Sequence, residues 1–425
     1  LIDPLSLRPR SNLLFLSNLI PGMSRSEIFE EHCQWARIHA DPLLEARKES
    51  GGGGARSGYS GRRIRIGYVS SDLWGGHPIG HILKAILTRH NRDVFSICCY
   101  NGTQTNDQLS RSLRDLAEIW RDVRDLSDED LGSRIMADNV DVLIDLSGHT
   151  RNNRLGMSAR RPAGVQVTCL GYLNTTGMRA MDWRIAAKGG ESKDSQQFHS
   201  ERLWLHDGLP WPWNGPGAEV PDVGIDGASG SEHVLASFNA FHKLNSRVLE
   251  VWGQVLQELP ETSLRIFGVP VGESVDRIVG ELENSGIDPD RIEVFGKLDY
   301  LSYLNECQKV MIALDPFPYN GGATTCECLW MGTPVVSLEG LQGFSRTGAS
   351  ILSAIGFQDL VCPSVAEYKE TIRQIVRNPS HPYRSRGFVR ARAREGFHRE
   401  SARFIPEFER AILEMLRLDS REAFR

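Results

Sequence analysis

The sequence has no apolar run approaching the roughly 20 residues that a membrane helix requires. Its hydrophobic content is 40%, ordinary for a globular chain, and no membrane partner is expected. An excess of charge is missing too: 49 basic against 54 acidic residues leave a net −5. No broad field therefore draws the chain to nucleic acid, and only a local basic groove stays open. The amino terminus lacks the basic and apolar regions of a signal peptide, although Leu1 need not be the natural start. Cysteine is sparse, eight in 425 residues, without framework spacing. Cys98-Cys99 lie in an apolar run, and Cys326 and Cys328 flank Glu327. A C-x-C pair without a second pair or a nearby histidine is a poor zinc signal. Reduced, buried thiols in a cytoplasmic protein are the expectation. There is no G-x-x-x-x-G-K-[ST], no G-x-G-x-x-G after a strand and no G-x-S-x-G. Their absence weakens P-loop, ordinary NAD and serine-hydrolase readings. No 34-residue self-similarity appears, which excludes a complete tetratricopeptide array within the chain.

What is present is an alternation of strand-like and helix-like runs, in a chain long enough for two or three domains. Residues 1–50 read as a helical segment, with Ser24-Arg25-Ser26-Glu27 as a helix start. Gly51 to Gly54 is a break. Strands are expected at 63–70, 94–100, 140–146 and 165–170, with a helix at 79–88, in a first domain spanning 60–220. A Pro/Gly-rich joint, Pro210 to Gly217, and the polar 221–231 stretch lead to a second series. Its strands fall at 234–238, 264–267, 291–295, 310–314 and 335–338, separated by helices, in a domain spanning 230–395. An amphipathic helix, 399–418, closes the chain. Strands alternating with helices predict parallel sheets covered on both faces, here two Rossmann-like domains around a cleft.

Ligands of such sheets sit beyond the carboxyl ends of the strands, and the unusual residues cluster there. Ser70 to His77 follow the first strand and Gly148-His149-Thr150 follow VDVLIDL. Asn239 to Lys243 follow VLASF, and Asp315 to Thr325 follow VMIAL. The segment NGGATTCECLWMG is a glycine turn entering a helix, which presents free amides and a positive dipole end to a phosphate. Gly321, Gly322, Thr324 and Thr325 are its candidate ligands. Thr324 and Glu327 also have the spacing of a capping box, and the spacing alone does not separate that from ligand binding. Lys243, between a strand and a helix, can meet a phosphate as a point charge. His77 is a loop histidine suited to acid–base or polar contact, and with His81 four residues on it could share a metal. Asp145 and His149 flank a strand end, where a carboxylate–imidazole pair or a plain turn are both open.

With these motifs on the page, the chain resembles the catalytic region of the O-linked N-acetylglucosamine transferase family, which also includes the plant Spindly-type O-fucosyltransferases. The resemblance covers about residues 62–415. It rests on RIRIGYVSSDLWGGHPIGH (63–81), DLSGHTRNNRLG (145–156), RPAGVQVTCLGYLNTTGMRAMDW (161–183), SFNAFHKLNSRVLEVW (237–252) and LDPFPYNGGATTCECLWMGTPVVSLEG (314–340). It implies a GT-B architecture and inverting, metal-independent transfer of N-acetylglucosamine from UDP-GlcNAc to serine or threonine of a protein or peptide acceptor. No cofactor is implied, and UDP leaves as product. Lys243 would neutralise the leaving diphosphate, and Thr324 and Thr325 would bind phosphate. Glu327 matches an acidic ribose ligand, and Lys297 in FGKLDY matches a lysine near the base. His77 matches a histidine close to sugar and acceptor and is the first candidate base, with Asp145 and His149 behind it. Three departures stand out. Upstream repeats are represented only by a short helical segment, as in a fragment or a minimal form. Ala240 stands where relatives often have glutamine or asparagine. GHTRNN and GYLNTTG lie closer to the Spindly pattern, which keeps GDP-fucose open as donor. A nucleotide-sugar-binding module without turnover is the reading from another class.

Overall fold

The structure, a computed structural model, describes residues 7–49, 62–216 and 233–422. The Gly51–Gly54 break and the 221–231 stretch lie outside the described residues. Two parallel sheets form the frame. The first contains β1 (Ile64–Ser70), β2 (Phe95–Asn101), β3 (Ile119–Asp122), β4 (Val142–Asp145), β5 (Val165–Thr168), β6 (Trp183–Ala187) and β7 (Arg202–His206). Their order across the sheet is β3-β2-β1-β4-β5-β6-β7. The second contains β8 (Val234–Ser237), β9 (Ser263–Ile266), β10 (Ile292–Val294), β11 (Ile312–Leu314), β12 (Val335–Leu338) and β13 (Val361–Cys362), in the order β10-β9-β8-β11-β12-β13. Every pairing is parallel, with Tyr68 opposite Cys99 and Ile144, and Ala313 opposite Ala236 and Val335. Burial on both faces explains the near-continuous apolar reading of IRIGYV and VLID.

β3, β6, β7 and β13 carry no apolar run that periodicity could detect. Arg121 and Arg184 interrupt β3 and β6, β7 opens on Arg202, and β13 is only two residues long. Arg184 is nonetheless buried, with its guanidinium donating to the Tyr172 carbonyl at 2.7 Å. The terminal helix starts at Arg386 rather than near residue 399 and runs to Glu422. It packs on both domains: Ser401 Oγ accepts from Trp213 N–H at 2.7 Å and donates to the Trp213 carbonyl at 2.8 Å. Further along, Glu409 accepts from His90 Nδ1 at 2.8 Å.

The carboxyl ends of the two sheets face each other. Beyond β5, the Leu173 carbonyl lies against Gly343 beyond β12, where a Cβ would come within 2.6 Å of the oxygen. The helix Gly343–Ala354 also receives the loop after β6, and Arg346 Nε donates to the Gly189 carbonyl at 3.2 Å. The amino-terminal helices Leu7–Ser17 and Arg25–His39 sit over this junction, and Asp41–Glu49 packs on the first domain. Ser24 and Glu27 form the capping box that starts the second of them. Phe15 meets Tyr172 of the first domain and His242 and Tyr319 of the second, at ring separations of 6.5, 5.9 and 5.8 Å.

Candidate active site

Each sheet reverses its strand order once, between β1 and β4 and between β8 and β11. Such switch points open a crevice, because the crossovers on either side run to opposite faces. The loops there carry His77 after β1, the 146–150 turn after β4, Lys243 after β8 and the 315–322 turn after β11.

The second crevice holds a compact polar cluster. Lys243 ends a short 3-10 turn and is partly buried. Its ammonium donates to the Asn320 carbonyl at 2.7 Å, lies 3.5 Å from Asn239 Oδ1, and stands 4.8 Å over the Tyr319 ring. Burial lowers it from the ordinary lysine range to about 8, against the opposing charge of Asp315. Asp315, the first residue beyond β11, is 1% exposed. It accepts from Gly321 N–H at 2.6 Å and from Ser337 Oγ at 2.5 Å, and burial pushes its carboxyl up to about 7.

The helix Ala323–Trp330 starts directly after this turn, and its N-cap is Gly322, with no side-chain cap. Thr324 is therefore the second helical residue, and the T-x-x-E spacing to Glu327 is not a capping box. The first-turn amides are left for a ligand or water. Thr325 Oγ1 is buried with no hydrogen-bond partner in the chain. Gly321 spends its N–H inward on Asp315, so it shapes the turn and does not present that amide to an anion. A Cβ on Gly321 would lie 2.7 Å from Thr325 Oγ1, and one on Gly322 would lie 3.0 Å from the Trp211 ring. Both glycines are required by close approach. Glu327 accepts from the Tyr300 and Tyr303 hydroxyls at 2.8 and 2.7 Å, and burial raises its carboxyl to about 7. Lys297 is exposed on the loop after β10.

His77 is the N-cap of the helix Pro78–Leu87, and its Nδ1 accepts from Ile79 N–H at 3.3 Å. With Nδ1 accepting, a neutral ring carries its proton on Nε2. Burial lowers its pKa, opposed by Asp72 of the same loop; burial raises that of Asp72, opposed by His77. His81 bonds the Gly75 carbonyl through Nε2 at 2.8 Å, so this nitrogen is not turned to a metal shared with His77. Among the described residues no group of three or more His, Cys, Asp or Glu could hold a metal ion.

Asp145 and His149 do not form a pair, and neither faces the crevice. Asp145 caps its own strand-end turn, accepting from Ser147 and Gly148 N–H and from Thr168 Oγ1 at 3.2, 2.7 and 3.1 Å. Burial raises it to about 6. His149 is fully buried under the amino-terminal helices, with its rings against Trp35, His32 and Tyr172. Its Nε2 donates to the Thr176 carbonyl at 2.9 Å and its Nδ1 accepts from Ser11 Oγ at 2.8 Å. Burial, and then the neighbouring His32, keep it well below the usual imidazole range. Both ring nitrogens are committed to structure. Sequence reasoning placed Asp315, Asn239 and Asn320 at the strand ends without giving them a role, and missed the Tyr300–Tyr303 pair. A signal existed for Asp315, an acid at a strand end before a glycine turn. None existed for the tyrosines, which arrive from another helix.

Two parallel α/β domains that face each other across a crevice, with a lysine and an uncapped helix start in the second, define a protein of the GT-B architecture. A family profile described as Glycosyl transferase family 41 matches residues 51–207 and 229–396, and the chain belongs to that family. It is 32% identical over 386 residues to a probable UDP-N-acetylglucosamine–peptide N-acetylglucosaminyltransferase SPINDLY of Petunia hybrida, covering 88% of this chain and 40% of that protein. It is 26% identical over 323 residues to the SEC protein of Arabidopsis thaliana, which carries the same activity in its name, covering 73% of this chain and 32% of that one. A mutant O-GlcNAc transferase of Thermobaculum terrenum superposes with a TM-score of 0.89 at 31% identity, over 98% of this chain and 79% of that one. The chain thus spans about 40% of the length of the SPINDLY relatives it matches.

Proposed function

We propose that this chain catalyses inverting transfer of N-acetylglucosamine from UDP-GlcNAc to serine or threonine hydroxyls of a polypeptide. One observation carries the reading: Lys243 reaches the Asn320 carbonyl beside an uncapped helix start, at the switch point of the second sheet. The acceptor oxygen attacks the anomeric carbon, the bond from that carbon to the diphosphate breaks, and negative charge develops on departing UDP. The Lys243 ammonium and the first-turn amides, with the Thr324 and Thr325 hydroxyls, stabilise that charge. They supply the positive field that a metal provides elsewhere, so chelation with EDTA is expected to leave transfer unchanged. Glu327 and Lys297 are assigned to the nucleoside. His77, with its proton on Nε2, is assigned to orient the sugar or the acceptor oxygen; as a base it would first have to give up its cap on Ile79. The acceptor proton leaves to a base other than Asp145 or His149, both of which are enclosed.

Incubation with UDP-GlcNAc and a peptide library should give transfer, or slow donor hydrolysis without peptide. The absence of both transfer and hydrolysis would overturn the reading. The Spindly-like pattern of GHTRNN and GYLNTTG is the reason for a second donor, GDP-fucose. Thermal shift separates the two, because the preferred nucleotide stabilises by mass action, about 2.7 kcal/mol at a hundred times its Kd. The larger shift is expected with UDP, and a shift with GDP alone would move the donor to GDP-fucose.

A further inference from the structure

A cavity of about 550 Å3 lies alongside the Pro78–Leu87 helix, and none of Lys243, Gly321, Thr324 or Glu327 lines it. Its floor is apolar, made by Ile82, Ala85 and Leu109 of the first domain and Trp213 of the interdomain connection. Lys84 and Arg89, both exposed, stand on its rim. The carboxylate in the lining is Asp107, at the other end, where it accepts from Gly75 N–H at 2.6 Å and Ser110 N–H at 2.8 Å. Asp107 therefore serves its own turn, while among the described residues the Lys84–Arg89 end keeps an excess of positive charge. Arg89 is steadied by Asn214 Oδ1 at 3.4 Å, which leaves its charge unneutralised.

Two segments that line the cavity run on into the proposed site. Gly75 lies two residues before His77. Gly215 precedes Pro216, whose carbonyl accepts from the Tyr300 hydroxyl at 3.1 Å, and that hydroxyl also serves Glu327. A chain leaving the crevice at His77 therefore has a groove to follow along the helix.

We propose that this groove docks the polypeptide acceptor and selects an extended segment with acidic side chains about three and about five residues from the modified serine or threonine. The spacing follows from the helix. At about 1.5 Å per residue, Lys84 lies about 10 Å and Arg89 about 18 Å beyond His77. An extended chain covers these distances in about three and about five residues. The apolar floor is the reason for choosing a polypeptide. A small anion would meet the two cations and leave Ile82, Leu109 and Trp213 uncovered, whereas an extended chain covers both. The proposal rests on the transferase reading for its direction, though not for its binding.

The test uses the full chain and two fluorescein-labelled peptides that share a central serine, with aspartate at the two spaced positions in one and lysine in the other. Anisotropy should show the aspartate peptide binding more tightly, with a preference that falls as salt rises. Joint replacement Lys84→Glu and Arg89→Glu should reverse the preference, weakening the aspartate peptide about five- to tenfold, the scale of two rim charges. In transfer assays the same variant should raise KM for that peptide and leave kcat and peptide-free hydrolysis of UDP-GlcNAc unchanged. An unaltered UDP thermal shift checks that it is folded. Equal binding of the two peptides, or an unchanged preference in the variant, overturns the proposal. So does competitive displacement of the peptide by UDP together with weaker UDP binding in the variant, which would give the groove to the nucleotide. If wild type neither transfers to the peptides nor hydrolyses UDP-GlcNAc or GDP-fucose, but the binding preference and its reversal hold, the transferase reading fails and the groove stands.

Discussion

At the scale of single residues, the site depends on one cation held in a poor environment for charge. Burial brings Lys243 down to about 8, so the free protein loses this charge as pH rises through that value. UDP affinity should therefore be full near neutrality and fall above about pH 8, and Lys243→Ala should remove that dependence along with the affinity. Titration calorimetry over that range checks both. Transfer by Lys243→Ala should drop by about 10² to 10³, the scale set by removing one leaving-charge donor, with the thermal midpoint retained. Asp315 gives a second test of opposite sign. Its folded-state pKa is raised from 3.8 to about 7 by burial, so its ionisation opposes folding. The folded state binds more protons than the unfolded one between these values, and stability falls with rising pH across that window. Asp315→Asn keeps one acceptor for Gly321 or Ser337 and turns the other into a donor, at a cost of about 1–3 kcal/mol. That deficit should shrink as pH rises from about 4 to about 7, as read by urea denaturation at each pH. A constant deficit would mean the carboxyl is not titrating there. Lys243 taken alone reads as a solvated lysine at a helix start; its pairing with the 320–325 turn is what singled it out, and the structure brings it to the Asn320 carbonyl of that turn. Asp145 and His149 misled because a strand-end acid and histidine look alike whether they face a ligand or a packed helix. What decided their role was the amino-terminal helix that brings Ser11 to within 2.8 Å of His149.

At the scale of elements, the glycine turn and the helix Ala323–Trp330 act as one device. The turn can close only because two glycines let Thr325, Asp315 and Trp211 crowd the backbone. Gly321→Ala would place a methyl 2.7 Å from Thr325 Oγ1 and 3.0 Å from Asp315 Oδ1. We expect a loss of about 1–3 kcal/mol, as for other overpacked sites, and a larger loss of UDP affinity than of stability, because the first-turn amides are displaced with the turn. Denaturation and calorimetry on the same variant compare the two. The periodic elements were legible because burial on both sheet faces forces continuous apolar strands. β6 and β7 were not, because Arg184 interrupts the one and Arg202 opens the other. Arg184 is tolerated in a buried strand because the Tyr172 carbonyl accepts from it and the buried Glu191 carboxylate lies 3.7 Å from its Nε, partners from the loops on either side of the strand.

At the scale of the molecule, the terminal helix ties the domains together. Ser401 accepts and donates one hydrogen bond each with the backbone of Trp213, on the connection between domains. Ser401→Ala leaves a buried N–H and a buried carbonyl without this partner, costing about 1–3 kcal/mol. Limited proteolysis should cut the interdomain connection sooner in this variant, and UDP should restore protection by holding the crevice closed. Equal proteolysis rates would mean that the helix does not govern the opening.

The residues alone determined the two α/β series and the strand ends at which chemistry collects, because hydrophobic burial and turn chemistry act over a few neighbours. The glycine turn that enters the helix Ala323–Trp330 was legible for the same reason. Strand order was left to the tertiary structure. Only the adjacency of β1 with β4 and of β8 with β11 creates the crevices that bring Lys243 to Asn320, 77 positions apart. The sorting of candidate residues was also tertiary. A buried group takes its role from whatever packs against it: helix 7–17 closed His149 into structure, and two tyrosines took hold of Glu327. Such partners come from far along the chain, and no local pattern encodes them.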